Sequence, residues 1–481
     1  MSRPPNVLLF IMDDQTPDTI RALGNPHIHT PHLDSLAERG VFLRPYTTVP
    51  VCTPGRAELL TGRTALRNGC DWFGRPIDGS LTLLPQALNA EGYHCCHVGK
   101  WHNDGHPRDR GYQETHFVFP GDLAAPYTSQ TFTYYDGDEL VTGHSTELLC
   151  ERATEFVERA PDDQPWFCYV ALHSPHDPRV CPEPFMSMYD HMLPPLPENY
   201  QPEHPFDNGD MLIRDERLAG FPRRQSEIIR HRADYYAMIS HHDHWIGRVL
   251  AALARRGMTD DTVVVFTSDH GLACGCHGLM GKENLYEHSA RVPLIVAGPG
   301  IPQGERHDRE CLCGHYDFLP TLLTLLDLPV PETVEGISTH EVILGQRDTV
   351  RDTICAAYRD CMRMARDARY KMIYYPHIDR TQLFDVLDDP EETNDLLASW
   401  RRDAEGRCCP PPGTPEGPAN SPDPAPCSTT FNNPLYSPAI PRAEADGIVR
   451  RLRAALLAWQ EANQDPILSS CRDRWGDCRT G

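Results

Sequence analysis

The sequence contains no long hydrophobic run. No window approaches the roughly 18 consecutive apolar residues that a bilayer-spanning helix needs, and the apolar fraction is an ordinary 40%. A membrane-crossing helix is thereby excluded, and no membrane partner is expected. Positive charge is also scarce, with 45 Lys and Arg against 68 Asp and Glu and a net charge of -23. That imbalance favours solubility and argues against a broad nucleic-acid-binding face. An anionic ligand would have to be met by a local cluster of cations or by a metal.

No export signal is visible either. The first apolar run, Val7–Met12, is short, has only Arg3 as a basic residue ahead of it, and ends in two aspartates instead of a small-residue cleavage site. It reads as a buried strand, and the expected location is cytoplasmic. Such a compartment keeps thiols reduced, so the 18 cysteines are expected as free thiols and not as a disulfide framework. Cys274-Gly275-Cys276 and Cys311-Leu312-Cys313 lack the usual gap between zinc-binding thiols and fall under the same expectation.

What the sequence does have is an alternation of short apolar runs with helical patterns. Val7–Met12 and Val41–Tyr46 read as strands around a helix at Pro31–Arg39, framed by Thr30 as N-cap, Pro31 in the first turn and Gly40 past the end. Leu149, Ala153, Phe156 and Val157 mark another helix face ahead of the run Trp166–Leu172, and a long helix at Glu227–Arg256 feeds Thr262–Thr267. This alternation predicts an α/β catalytic domain over residues 1–350, with a large, mixed, mostly parallel sheet flanked by helices. Beyond it, Thr353–Tyr358, Cys361–Ala365 and Tyr370–Tyr375 predict a smaller α+β subdomain over 351–481, built on an antiparallel sheet. A Pro-rich insertion at 405–441 interrupts this subdomain, and a helix at Ala443–Ala462 closes it.

Ligands of open α/β sheets gather at the carboxyl ends of the strands. Asp13-Asp14, His173-Ser174-Pro175-His176 and Asp269-His270 each follow an apolar run directly, which points all three to one sheet edge. Adjacent buried carboxylates are costly unless a cation compensates them, and hard divalent cations favour such oxygen ligands. Taken alone, Asp13-Asp14 also fits a solvated turn. Cys52-Thr53-Pro54-Gly55-Arg56 opens a predicted helix over Pro54–Leu60, which puts Cys52 at an anion-friendly N-terminus. Gly99-Lys100-Trp101-His102 follows the strand-like Tyr93–Val98 and sets Lys100 and His102 on one face if the strand continues.

The ordered set resembles the type I, formylglycine-dependent sulfatase family of the alkaline phosphatase superfamily. The resemblance rests first on Cys52-Thr53-Pro54-Gly55-Arg56 with Thr61-Gly62-Arg63 downstream. It continues through Gly281-Lys282-Glu283-Asn284, Arg291-Val292-Pro293, Asp317-Phe318-Leu319-Pro320 and Gln382-Leu383-Phe384-Asp385, and so covers essentially all but the Pro-rich insertion.

The resemblance implies an alkaline-phosphatase-like fold and hydrolysis of a sulfate ester. The nucleophile would come from Cys52, oxidised to formylglycine by a separate maturase. Asp13, Asp14, Asp269, His270 and the side chain at 52 are the implied metal ligands. Calcium is the expected ion, with magnesium or manganese brought closer by His270, where many relatives carry Asn. Arg56, Lys100 and Lys282 are expected to neutralise sulfate oxygens, Asp269 to assist deprotonation of the nucleophile, His102 to act as a base and His176 to protonate the leaving alcohol. His173 is expected to be structural, and His277 lies outside the set.

A sulfated mono- or oligosaccharide is the expected substrate, ahead of an aryl or choline sulfate, with leaving-group contacts from Cys70–Arg75, Asn103–Arg110 and Asp177–Arg179. Two alternatives share the motifs. One is a phosphonate or phosphate ester hydrolase on the same scaffold, against which the doubled aspartate Asp13-Asp14 counts. The other is a non-catalytic binder of sulfated glycans with unmodified Cys52.

Overall fold

A computed structural model of the chain describes residues 3–119, 131–136, 139–303, 307–398 and 440–476. The Pro-rich segment expected at 405–441 lies outside the described residues except for its last two positions. Two compact units are present. The first comprises Met1–Pro195, Ser226–Leu272 and His288–Arg351, and the second Leu196–Gln225, Ala273–Glu287 and Asp352–Gly481. The second unit is therefore not one continuous C-terminal stretch. The chain enters it twice before residue 350, through loop-rich segments whose local composition carries no sign of the change.

The first unit holds strands β1 (Asn6–Met12), β2 (Gly40–Leu43), β3 (His94–Lys100), β4 (Glu114–Phe119), β5 (Thr131–Asp136), β6 (Glu139–His144), β7 (Trp166–Ala171), β8 (Thr262–Ser268), β9 (Leu294–Ala297) and β10 (His307–Asp308). Eight of them form one sheet in the order β10-β2-β9-β8-β1-β7-β3-β4, and β5 with β6 makes a separate hairpin. Pairing is parallel throughout except where β9 runs antiparallel to both β2 and β8. The sheet is thus mixed and mostly parallel.

Burial on both faces explains why its strands read as unbroken apolar runs. In β1, Val7, Leu9 and Ile11 join one core with Leu59, Leu60 and Leu319, while Leu8, Phe10 and Met12 join the other with Leu149, Phe156 and Ile246. Leu149 and Phe156 come from the helix Ser145–Arg159, and Ile246 comes from the long helix Gln225–Arg255. Both helices show the apolar spacing expected of them.

Two local details depart from expectation. Gly40 does not serve to stop the first helix: it begins β2, where a Cβ would stand 2.4 Å from the Val296 carbonyl oxygen, so close strand approach demands glycine. Thr30 precedes the helix Pro31–Glu38 without making a side-chain cap; its Oγ1 donates to Asp34 Oδ1 at 3.0 Å instead.

The second unit contains the antiparallel sheet β11 (Ile354–Tyr358), β12 (Met362–Arg366), β13 (Tyr370–Tyr375) and β14 (Arg380–Asp385), paired in that order. Cys355, Ala365, Met372 and Leu383 pack there against Ile448, Leu452 and Leu456 of the helix Arg442–Ala462. No disulfide joins the described cysteines. Among the described residues no helix is long and apolar enough to cross a membrane.

Candidate active site

Sheet order decides where the polar clusters meet. Strands β8, β1, β7 and β3 are neighbours and run parallel, so their carboxyl ends lie side by side. Asp13-Asp14 follows β1, Asp269-His270 follows β8, the segment from His173 to His176 follows β7, and Lys100 ends β3. Asp13, Asp14, Lys100, Asp269 and His270 are all buried.

The remaining member arrives on a helix. Cys52–Thr61 is buried along its whole length and begins at Cys52 itself, two residues before the expected start at Pro54. Gly55 lets this helix lie directly on the Asp269 backbone, and Asn103 Nδ2 donates to the Thr53 carbonyl at 3.0 Å at its open end. Cys52 Sγ then stands 3.3 Å from Asp13 Oδ1 and 3.1 Å from His270 Nε2.

Two cations compensate the carboxylates. Lys100 Nζ donates to Asp13 Oδ2. Arg56 Nε donates to Asp269 Oδ2 at 2.9 Å, and its Nη2 lies 3.8 Å from Asp13 Oδ2. Burial alone would lower the Arg56 pKa, but Asp269 and then Asp13 outweigh it and hold the guanidinium charged.

The fit to a metal can be tested on His270. Its Nδ1 lies 3.0 Å from the Gly271 carbonyl, an acceptor, so the proton belongs on Nδ1. Nε2 is left with a lone pair that faces Asp269 Oδ1 at 3.3 Å and Asp13 Oδ1 at 3.8 Å. Acceptors facing one another across so short a gap call for a cation between them. Ligand atoms of Asp13, Cys52, Asp269 and His270 all lie within 4.8 Å of one another, as do those of Asp13, Asp14, Cys52 and His176. The residues present therefore suit a divalent ion with oxygen and one imidazole ligand. Asp14 adopts a left-handed backbone, φ 74°, uncommon for a non-glycine residue and a form of strain found at ligand clamps.

The expected histidines fare differently. His176 joins the cluster, with Nδ1 2.8 Å from the Asp177 carbonyl oxygen and 3.3 Å from Asp177 Oδ1. His173 packs edge-on against Phe119 at 4.5 Å and stacks on Phe132 at 5.1 Å, while burial, reinforced by Lys100, pushes its imidazole far below the ordinary range. It is a neutral packing residue. His102 does not share a strand face with Lys100, because β3 ends at Lys100 and His102 takes a left-handed turn, φ 55°. Its ring lies 5.4 Å from that of Phe73. Lys282 belongs to the second unit, buried, with Nζ 3.4 Å from Asp215 Oδ2. His277 is a stacked structural residue there, 3.9 Å from the Tyr286 ring.

Sequence reasoning missed several supports. Tyr235 reads as one apolar position of the long helix, yet its hydroxyl donates to the Asp14 carbonyl at 2.6 Å and accepts from Thr16 N at 3.1 Å. Ser268 accepts from Gln15 N at 2.9 Å and donates to the His270 carbonyl at 2.9 Å, tying the two turns together. The hydroxyl of Tyr235 within a helical apolar stripe was the available signal.

Known proteins resemble this chain over most of its length. The family model described as Sulfatase matches residues 5–328, and one described as N-sulphoglucosamine sulphohydrolase, C-terminal, matches 275–404. An ulvan-active sulfatase of Formosa agariphila is 29% identical, the match covering 82% of this chain and 77% of the relative. An N-acetylglucosamine-6-O-sulfatase of Bacteroides thetaiotaomicron is 25% identical over 82% of this chain and 83% of its own. A solved structure in complex with its substrate D-glucosamine-2-N,6-O-disulfate shares the fold with a TM-score of 0.75 at 20% identity, covering 100% of both chains. The phosphonate monoester hydrolase of Agrobacterium radiobacter does so with a TM-score of 0.67 at 24% identity, over 83% of this chain and 92% of its own.

Proposed function

Since the chain belongs to the sulfatase family of the alkaline phosphatase superfamily and is a sulfuric ester hydrolase, we propose that it releases sulfate from a sulfated carbohydrate, using a nucleophile generated at Cys52. The observation that carries this reading is the meeting of Cys52 with three buried carboxylates and two buried cations at the carboxyl ends of neighbouring strands.

Within the first unit, the charge balance suits a singly charged ester, a sulfate or a phosphonate monoester. Asp13, Asp14 and Asp269 bring three formal negative charges against two positive ones from Arg56 and Lys100. One divalent cation turns that sum to a single net positive charge. A sulfate monoester carries one negative charge, whereas a phosphate monoester carries about two at neutral pH.

Asp13, Asp14, Asp269 and His270, with the side chain at 52, would hold the ion, and calcium suits their mostly oxygen donors. Bound there, it would supply positive charge to the sulfate oxygens. Formylglycine at 52, made by a maturase, would supply in its hydrated form a hydroxyl in place of the thiol. Asp269 receives the proton of that hydroxyl, and Arg56 holds Asp269 in place through its Nε. Lys100 and Arg56 offset the charge that develops on the sulfate, with Lys282 assigned to the same work on its motif. His176, oriented through Nδ1 by Asp177, delivers a proton to the leaving oxygen. His102 serves as the base that regenerates the resting side chain.

Relatives named for ulvan and for N-acetylglucosamine 6-O-sulfate support a carbohydrate substrate. A hydrolysis panel of sulfated mono- and disaccharides, aryl and choline sulfates and phosphonates tests the assignment: a sulfated sugar should turn over fastest. The fold shared with a phosphonate monoester hydrolase makes phosphonate the second reading, and fastest turnover of a phosphonate would establish it instead. A cytoplasmic setting is expected from the sequence; recovery from a periplasmic fraction would contradict it.

A further inference from the structure

Away from the candidate active site, His144, Glu147 and His241 of the first unit offer three ligand atoms within 4.8 Å of one another. His144 precedes the helix Ser145–Arg159, Glu147 lies in its first turn, and His241 comes from the long helix Gln225–Arg255.

Hydrogen bonding within this cluster does not close. Trp245 Nε1 can only donate, and it lies 3.0 Å from His241 Nε2, which must therefore accept. Yet Glu147 Oε1 stands 3.4 Å from the same nitrogen. A carboxylate oxygen and an imidazole lone pair thus face each other with no proton from either partner between them. The His144 ring meets the His241 ring edge-on at 4.7 Å. Both His144 nitrogens are buried, and neither makes a hydrogen bond of full geometry, the backbone at Val180 being its neighbour. Unsatisfied buried polar atoms are costly and call for an explanation.

We propose that His144, Glu147 and His241 form a second divalent-metal site, suited to a borderline transition ion such as Zn2+. Two imidazoles and one carboxylate are a zinc donor set, with a water to complete it, and a poor one for calcium. Burial lowers the pKa of His144 to about 4 and that of His241 to about 3, so both rings are neutral ligands at neutral pH. The Glu147 side chain is 35% exposed, which gives an ion a way in. Binding exchanges the Trp245 hydrogen bond at His241 for a coordinate bond.

The role is structural. Phe185 packs on the His241 ring at 5.1 Å, and Ser174 Oγ lies 3.0 Å from Nδ1 of His242, the next residue of the helix. An ion here fastens the start of the helix Ser145–Arg159 to the long helix and touches no reacting atom. The inference stands whether or not the sulfatase reading is right.

The test uses the full chain, stripped with chelator and then saturated with Ca2+. Titration with Zn2+ by calorimetry should show one site whose affinity falls at least about 10-fold in His144→Ala and in Glu147→Gln, the lower end of what even outer-shell changes cost. Visible absorption of bound Co2+ should be lost in both variants and kept in Asp14→Asn. Glu147→Gln, at a part-exposed position, separates lost binding from lost folding. Coincident Zn2+ isotherms and Co2+ spectra for wild type and the two variants, or no Zn2+ binding at all, would overturn the proposal.

Discussion

Gly55 lies so close to Asp269 that a Cβ at position 55 would stand 2.4 Å from the Asp269 carbonyl oxygen and 3.2 Å from Thr47 Oγ1. The helix that presents Cys52 is thereby seated on the turn that presents Asp269 and His270, and the distance between Cys52 and those two residues depends on the missing side chain. Gly55→Ala is expected to destabilise the fold by about 1–3 kcal/mol, the usual range for overpacking, and to reduce turnover more than tenfold. Urea denaturation with parallel rate measurements checks both; unchanged midpoint and rate would refute this seating.

Arg56 pairs with Asp269 and Asp13 inside the protein, and removing one partner of a buried ion pair costs about 3–5 kcal/mol. Arg56→Ala should lower the denaturation midpoint accordingly. Arg56→Lys keeps the charge without the Nε contact, so it should recover part of the stability and little of the activity. Equal stability of all three proteins would contradict the pairing.

Metal removal should abolish turnover reversibly. Chelator-treated wild type is expected to regain activity with Ca2+ and to gain thermal stability as the ion concentration rises, because the ion binds only the folded site. Asp13→Asn and Asp269→Asn should regain little of either. Full activity in chelator would remove the metal from the account.

His176 is assigned to the leaving oxygen, so its loss should matter most where that oxygen is most basic. His176→Asn should slow hydrolysis of a sugar sulfate far more than that of a nitrophenyl sulfate. Equal slowing of both would assign His176 to another task.

Glu58 gives a pH test independent of catalysis. It is buried, and burial pushes its carboxyl up to about 8, although Thr48 and Ala65 donate to it. Between the ordinary carboxyl value of 4.5 and about 8 the unfolded chain has released a proton that the folded chain retains, so stability falls as pH rises, by up to about 1.4 kcal/mol per unit. Glu58→Gln should flatten that fall across the same window. Parallel stability curves for the two proteins would contradict a protonated Glu58.

How much of this was legible in the sequence depends on the range of the interaction. Strand identity and the residue that ends each strand are local properties, so Val7–Met12 before Asp13-Asp14 and the run before Asp269-His270 could be read directly. The convergence of those ends follows from parallel order, a regular consequence of α/β topology. Gly40 misled because its requirement comes from Val296, far along the chain. His102 misled because strand alternation stops at Lys100 and the backbone turns left-handed at His102. Tyr235 and Ser268 were hidden because a hydroxyl that supports a distant turn leaves no periodic mark. The discontinuous second unit was hidden for the same reason, and with it the surroundings of Lys282.

The most direct test of the central claim is mass analysis of the Cys52 peptide after expression with and without a formylglycine-generating maturase, coupled to the rate on a sulfate ester. The account predicts that turnover rises in proportion to the fraction of Cys52 converted to aldehyde and is absent in Cys52→Ala, which still folds. Full turnover by protein whose Cys52 remains a thiol, or by Cys52→Ala, would contradict it.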